Sequence, residues 1–355
     1  MPLLKRIYKT VFPSKIRLFL HNHLLFFTDK KQYEKNRKNR KRTVSFGPNN
    51  KDKHFFVCRR DSEATGLLAC YVNVLGQLIE IDKDIQSGKL IPVMDMYTQY
   101  FAAAHRKGDG VQKINAWEYY FAPFSEYTME EVLKSKHVTL GYGFLVDAAK
   151  PFVQDNEYNR SILRDILPIH NRYFHLRSDL EKQFSEKTLA LFGDKRVLGT
   201  NIREGYIVLA NGKKNKEASY TGQIIDGHPV QPDIDTFCDE LKEKMIEWNC
   251  EYIFAEFQTT YIEKKFKEYF GDKFICTNRK RVETDNLSLN SYMEGIKKRP
   301  SNYDVVENNI AYLESIYLLS KCTSLYTAKC SGTVVATLWN NDKYENMEII
   351  NRGKY

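Results

Sequence analysis

The stretch RVLGTNIREGY, residues 196–206, decides how the second half of the chain folds. Its first residues are apolar enough for a buried strand, and Gly199 allows a neighbouring group to come close to the backbone. The polar residues after Ile202 are typical of a loop, so the strand is predicted to end there. Arg203 then stands at the carboxyl end of the strand, which is where open α/β sheets bind ligands.

On both sides of this stretch, the sequence alternates between strand and helix patterns. After the opening stretch, three more strands are predicted in CEYIFAEF, KFICT and TSLYTA, separated by helical segments, and CSGTVVATLWNN reads as a turn followed by a helix. Before it, the strands HFFVCRR and KLIPVMDMY flank a long apolar helix that starts near Gly66, and residues 158–190 are predicted to be helical. Two β-α-β halves in one chain predict an α/β fold with two facing Rossmann-like domains.

The charge distribution separates an N-terminal arm from the rest of the chain. Residues 1–42 contain 13 Lys or Arg and two acidic residues, whereas the whole chain of 355 residues has a net charge of +9. A basic segment with interspersed Leu, Ile and Phe is typical of a helix lying on an anionic membrane surface. The alternative is a tail that packs on the body or has no role. We expect an arm at 1–50, an N-terminal domain at 51–190 and a C-terminal domain at 191–355.

Several classes of protein are disfavoured by the sequence. The body outside the arm is nearly neutral, which argues against nucleic-acid binding. The seven cysteines contain no C-x-x-C pair, which favours a reduced, cytoplasmic protein over a disulfide or zinc scaffold. No P-loop, no G-x-G-x-x-G and no G-x-S-x-G motif is present.

Polar residues follow three of the predicted strands in the second half. Because the carboxyl ends of parallel strands meet at one edge, these residues form a candidate anion site, in which the turn before the last helix offers free N–H groups. An arginine is well suited to a diphosphate because its planar fork makes paired hydrogen bonds. The alternative is an ordinary surface ion pair and a simple helix cap. The candidate residues are Asn201, Arg203, Glu256, Lys329, Ser331 and Gly332.

The loop after Arg203 contains the other candidates for chemistry. His228 lies in the turn DGHPVQP and is either a turn residue or a polar group returning to the cleft. Asp226 is a candidate general base, and Glu217 and Glu204 are its rivals.

An aromatic segment, NAWEYYFAP, offers a candidate surface for a sugar. Trp117 and Tyr120 have faces on which a pyranose can stack, and Glu118 adds a carboxylate. Core packing is the alternative fate for at least two of these rings.

The ordered set of LGTNIRE, GHPVQP, YIFAEF, YLLSKCTSLYTAKCSGTVVA and GKY resembles the bacterial branch of the fucosyltransferase-like glycosyltransferases. These are related to the α-1,6-fucosyltransferases of N-glycan and Nod-factor synthesis. TGLLACYVNVLGQL and NAWEYYFAP extend the resemblance over most of residues 54–355.

The resemblance implies a GT-B fold, with the acceptor on the N-terminal domain and the nucleotide sugar on the C-terminal one. It implies inverting transfer from a GDP-sugar, with GDP-fucose as the expected donor and neither a metal nor another cofactor. Arg203 matches the arginine that binds the donor diphosphate, His228 matches the histidine of an H-P motif, and Ser331 matches a serine of the phosphate-binding turn. Gly66 matches a glycine turn on the acceptor side.

The expected role is synthesis of a bacterial surface polysaccharide, capsule or lipopolysaccharide, on a glycan or lipid-linked acceptor. The protein would act as a peripheral enzyme on the cytoplasmic face of the membrane. Glu204, Gly205 and Tyr206 follow Arg203 where the family has an acid-containing motif. The alternative function is therefore that of a catalytically degenerate relative that binds a glycan or a partner protein.

Overall fold

The computed structural model describes residues 41–59, 66–96, 115–141, 160–202, 232–286 and 304–350, and the short pieces 153–154, 157–158, 291, 294–295 and 297–298. In these parts the chain forms two sheets of mainly parallel strands joined by helices. The predicted α/β class with two Rossmann-like units is confirmed. The predicted arm lies, apart from residues 41–50, outside the described residues.

The first sheet has four strands in the order β1-β4-β2-β3. They are β1 (Arg42–Val44), β2 (Asn49–Arg59), β3 (Ile91–Asp95) and β4 (Ser135–Leu140). Strand β2 is parallel to both of its neighbours, and β1 is antiparallel to β4. Helix α1 (Leu67–Gln86) connects β2 to β3, and α2 (Met129–Val132) precedes β4. The sheet begins at Arg42, inside the range expected for the arm.

Two helices lead from the first sheet to the second. They are α3 (Arg160–Tyr173) and α4 (Ser178–Phe192), and a short antiparallel pair, β5 (Val153–Gln154) and β6 (Glu157–Tyr158), precedes them. The prediction of helical structure across residues 158–190 is confirmed from Arg160 onward apart from the turn between α3 and α4, whereas Tyr158 belongs to β6.

The second sheet is parallel throughout, in the order β11-β10-β7-β8-β9. Its strands are β7 (Val197–Asn201), β8 (Tyr252–Glu256), β9 (Phe274–Ile275), β10 (Ser324–Ala328) and β11 (Asn346–Ile350). Between them lie α5 (Ile234–Glu247), α6 (Thr260–Phe270), α7 (Val305–Ser320) and α8 (Ser331–Asn340). Three-residue β1, the inner strand β4 and the edge strand β11 were not predicted, because exposed polar residues interrupt their apolar pattern.

Gly199 lies in the centre of β7, below helix α7. A Cβ atom at this position would lie 2.8 Å from Leu319 Cδ1 and 3.0 Å from Cys322 Sγ. The close approach expected from the sequence is therefore that of α7 and the turn after it, and it lets the helix pack directly on the strand.

One large hydrophobic cluster spans the two sheets. Its buried side chains include Phe56 and Tyr71 from the first half together with Leu319 and Val335 from the second. Helix α8 packs against α1 and α7 packs against α4. We call the region of these helix contacts the seam. The seam fixes the position of the second sheet relative to the first half of the chain.

Candidate functional site

The strand order of the second sheet creates one crevice at its carboxyl edge. From β7 the chain proceeds outward through β8 to β9 and then returns to the other side of β7 to form β10 and β11. The connections on the two sides of this reversal turn away from each other, and ligands of open α/β sheets bind in the gap. The carboxyl ends of β7 and β10, at Asn201 and Ala328, border this gap.

Asn201 is the last residue of β7, and only 3% of it is exposed. Its backbone N–H donates to Thr327 Oγ1 at 2.9 Å, which ties the end of β7 to β10. Its side-chain Nδ2 donates to Cys330 Sγ at 3.3 Å. The amide therefore points at the start of helix α8, as expected for a residue at the mouth of the crevice.

Helix α8 begins at the crevice with a weak cap. Cys330 is its N-cap, and the sulfur accepts the Thr333 N–H at 3.5 Å. The N–H groups of Ser331 and Gly332 are in the first turn and have no acceptor within the helix. Such groups, together with the helix dipole, favour an anion at this end of a helix.

Gly332 permits the close packing at this helix start. A Cβ atom there would collide with the Asn201 amide and lie 2.9 Å from the Tyr312 hydroxyl and 3.0 Å from Ile316 Cδ1. The N-terminus of α8 consequently lies directly against the end of β7 and against α7.

Glu256 ends strand β8 and is directly paired with Asn201 across the sheet. It is fully buried and forms an ion pair with Arg279, from the loop after β9. Burial raises the pKa of Glu256, and the charge of Arg279 opposes this shift. The Arg279 guanidinium lies 4.5 Å from the centre of the Tyr312 ring. A cation thus lies next to the residue that borders Gly332.

No family model and none of the curated proteins matches the chain. Solved structures of fucosyltransferases are similar to it. NodZ α-1,6-fucosyltransferase soaked with GDP-fucose has a TM-score of 0.42 and 12% identity, over 81% of this chain and 92% of that one. NodZ from Bradyrhizobium has the same TM-score and identity, over 80% and 92%. POFUT1 in complex with GDP-fucose has a TM-score of 0.34 and 9% identity, over 85% and 74%.

The predicted donor residues fall into two groups. Asn201, Ser331 and Gly332 lie together at the crevice, and half-buried Lys329 follows β10 at the same edge. Glu256 is at this edge too, but its carboxylate is buried against Arg279. The remaining candidates, Arg203, Glu204, Glu217, Asp226 and His228, lie outside the described residues.

The predicted acceptor surface is largely part of the core. Trp117 and Tyr120 are fully buried, and Trp117 Nε1 donates to the Ala122 carbonyl at 3.1 Å. Neither ring offers a face to a sugar in this structure, because both pack among other aromatic rings. Glu118 is exposed on the same 3₁₀ turn, and partial burial of its carboxylate raises its pKa. Gly66 is exposed at the start of α1, with nothing within 4 Å of an added Cβ.

Helix α7 brings the aromatic segment near the crevice. Asn309 Nδ2 donates to the Tyr120 hydroxyl at 3.0 Å, and Tyr312 is one turn farther along the same helix, beside Gly332. Glu118 therefore belongs to a segment that contacts α7 about one helical turn away from Tyr312, the residue beside the start of α8. The sequence pattern did not predict Arg279, Tyr312 or Asn309. The only signal for the first was the basic run NRKR after β9.

A separate concavity of about 280 Å³ lies in the seam, lined by aromatic residues that include Phe174, Tyr317 and Trp339. It is at the opposite end of α8, roughly 10 Å from Gly332 along the helix axis. Within the residues that the structure describes, no helix is long and apolar enough to cross a bilayer.

Proposed function

We propose that this chain is a glycosyltransferase that uses a GDP-sugar and binds the donor diphosphate in the crevice between β7 and β10. The proposal rests on the start of α8, where first-turn N–H groups that have no acceptor within the helix adjoin the end of β7 at the reversal of strand order. This is an arrangement suited to a phosphate group. The resemblance of the ordered sequence motifs to fucosyltransferases supports GDP-fucose as the donor.

In the proposed reaction, an acceptor hydroxyl oxygen attacks the anomeric carbon of the donor sugar. The bond from that carbon to the β-phosphate oxygen breaks, GDP leaves, and the configuration inverts. Arg203 and the α8 N-terminus stabilise the negative charge that develops on GDP. A carboxylate takes the hydroxyl proton, and Asp226 and Glu217 are the proposed candidates. No metal takes part in this scheme.

The acceptor is proposed to be a glycan or lipid-linked saccharide of a bacterial surface polysaccharide. Glu118 and Gly66 are the predicted acceptor residues that remain exposed. Glu118 is anchored to α7 through its neighbour Tyr120, and it is therefore the better placed of the two for contact with an acceptor near the crevice.

The basic segment at residues 1–42 is proposed to hold the enzyme on the anionic cytoplasmic surface of the membrane. The full chain should float with vesicles containing phosphatidylglycerol and remain in solution with neutral vesicles. Equal flotation of a chain lacking residues 1–40 would contradict this assignment.

The second candidate is a non-catalytic relative that binds a glycan or a partner protein. Two observations favour it: Glu204 follows Arg203 in the sequence, and Glu256 is already occupied by Arg279. A negative charge beside a diphosphate is unfavourable unless it is turned away or paired.

A thermal-shift series with GDP-fucose and UDP-, ADP- and CMP-sugars tests the proposal. A ligand that binds only the folded state raises the melting temperature, so GDP-fucose should raise it and the other nucleotide sugars should not. Transfer of labelled fucose should then be lost in Arg203→Ala, with the melting temperature of the free protein nearly unchanged. Binding of GDP-fucose without transfer to any acceptor favours the second candidate, and no binding of any GDP compound contradicts the first.

A further inference from the structure

The ion pair between Glu256 and Arg279 is unusually well buried for charged side chains. The side chain of Glu256 is 2% exposed and that of Arg279 is 11% exposed. Burying both charges removes their hydration, and such a pair contributes little or nothing to stability compared with apolar residues of the same size. A contribution to the stability of the fold therefore does not explain why this ion pair lies at the carboxyl edge of the second sheet.

The ion pair lies at the carboxyl edge of the second sheet, where open α/β sheets bind ligands. Glu256 is the cross-strand partner of Asn201, whose amide contacts the Cys330 cap of α8. Arg279 stacks on Tyr312, and the hydroxyl of that tyrosine borders Gly332. Arg279 is consequently linked to the start of α8 through the Tyr312 ring.

The loop that carries Arg279 is braced by a second buried arginine. Arg281 Nη1 donates to the carbonyl oxygens of Thr277 at 3.0 Å and of Arg279 at 2.9 Å. Its guanidinium stacks 4.2 Å above the centre of the Phe257 ring, and its Nε lies 3.5 Å from Glu263 Oε2. These contacts hold the backbone at Arg279 in place, so the guanidinium is oriented before any ligand arrives.

A guanidinium carries five N–H donors in one plane. The contact with Glu256 engages Nη1, and the carboxylate holds the side chain in one orientation. Two acceptors on one guanidinium suit a site in which a phosphate approaches from the α8 side.

We propose that Arg279, oriented by Glu256, Tyr312 and Arg281, binds the diphosphate of the donor together with the N-terminus of α8. The identity of the nucleotide in this inference rests on the proposed function. The binding of a diphosphate is inferred from the geometry alone. It assigns Glu256 the role of positioning Arg279 rather than that of a direct donor ligand.

The test is calorimetric titration of the full chain with GDP, guanosine and inorganic pyrophosphate. The main variant is the double substitution Glu256→Gln with Arg279→Gln, which removes both charges and retains hydrogen-bonding groups in the buried positions. Arg279→Lys is the second variant, because it retains the charge but loses the planar fork. Lys280→Gln, an exposed position in the same loop, is the matched control.

GDP and pyrophosphate should bind the double variant about 10–100-fold more weakly than the wild type, the loss expected for one charge-assisted contact. Arg279→Lys should weaken them about 10-fold, Lys280→Gln should have no effect, and guanosine affinity should be the same in all proteins. Unchanged GDP and pyrophosphate affinity in both Arg279 variants overturns the inference and leaves the proposed function intact. Arg279-dependent binding of pyrophosphate without any binding of GDP supports the inference and contradicts the proposed function. A wild-type chain that binds neither ligand contradicts both.

Discussion

At the scale of single residues, the crevice depends on a position that has no side chain. Gly332 brings the start of α8 against Asn201 and Tyr312, and no larger residue fits between them. The residues with polar functions at the same edge, Asn201 and Glu256, are buried and already hydrogen-bonded. Their arrangement exists before a ligand binds, which reduces the cost of ordering the site on binding.

Gly332→Ala tests this close packing. The added methyl group must displace the Asn201 amide or the Tyr312 ring, so we expect the free energy of unfolding to fall by about 1–3 kcal/mol in urea titrations. Gly66→Ala is the control, because nothing lies within 4 Å of its added Cβ. Equal stability of the two variants would show that the edge is loosely packed.

At the scale of elements, helix α7 connects the parts of the site. It contacts the aromatic segment through Asn309, stacks Tyr312 on Arg279 and packs against Gly199 of β7 through Leu319. Its first turn is capped by Asp304, whose carboxylate accepts the N–H groups of Val306 at 2.7 Å and Glu307 at 3.2 Å.

Asp304→Ala removes the α7 cap. Two first-turn N–H groups lose their acceptor, and the unfolding free energy should fall by about 1 kcal/mol. Glu243→Ala, at an exposed position inside α5, should change it by less than about 0.5 kcal/mol. Chemical denaturation of both variants measures the difference, and a loss no larger than that of the control would argue against a role for the cap.

At the scale of the whole molecule, a chain of hydrogen bonds crosses the seam. Trp339 Nε1 donates to the Tyr71 hydroxyl at 3.0 Å, and that hydroxyl lies 2.6 Å from His170 Nε2. His170 Nδ1 lies 2.8 Å from Asn171 Oδ1, which requires Nδ1 to carry the proton. Every member has a partner only while His170 is neutral, and burial lowers its pKa to about 4.

This network predicts a pH dependence of global stability. In the unfolded chain His170 is protonated as the pH falls below the ordinary histidine pKa of 6.5. In the folded chain it stays neutral until about pH 4. Stability should therefore be complete above pH 6.5 and fall by about 3 kcal/mol as the pH decreases from 6.5 to 4. Urea titrations across this range should show a flatter profile for His170→Gln than for the wild type and for His175→Gln, the exposed control. Parallel profiles for all three proteins would contradict the assignment.

From the sequence alone, the alternation of strands and helices, the α/β class, the position of Asn201 at a strand end and the position of Ser331 and Gly332 at a helix start were predictable. Apolar periodicity and turn residues act over a few positions, and they determine local structure wherever a segment is buried on one side. Strands β4 and β11 were not predicted, because polar residues on their exposed faces weaken that pattern.

The remaining features depend on tertiary contacts between distant parts of the chain. The position of β10 beside β7, the burial of Trp117 and Tyr120, and the pairing of Glu256 with Arg279 each join residues that are distant along the chain. Strand order and side-chain burial depend on how the two halves of the chain pack together. The apolar pattern of a segment does not specify which other segment its buried face contacts. The local sequence thus determined which residues reach the carboxyl edge, and the long-range packing determined which of them a ligand can reach.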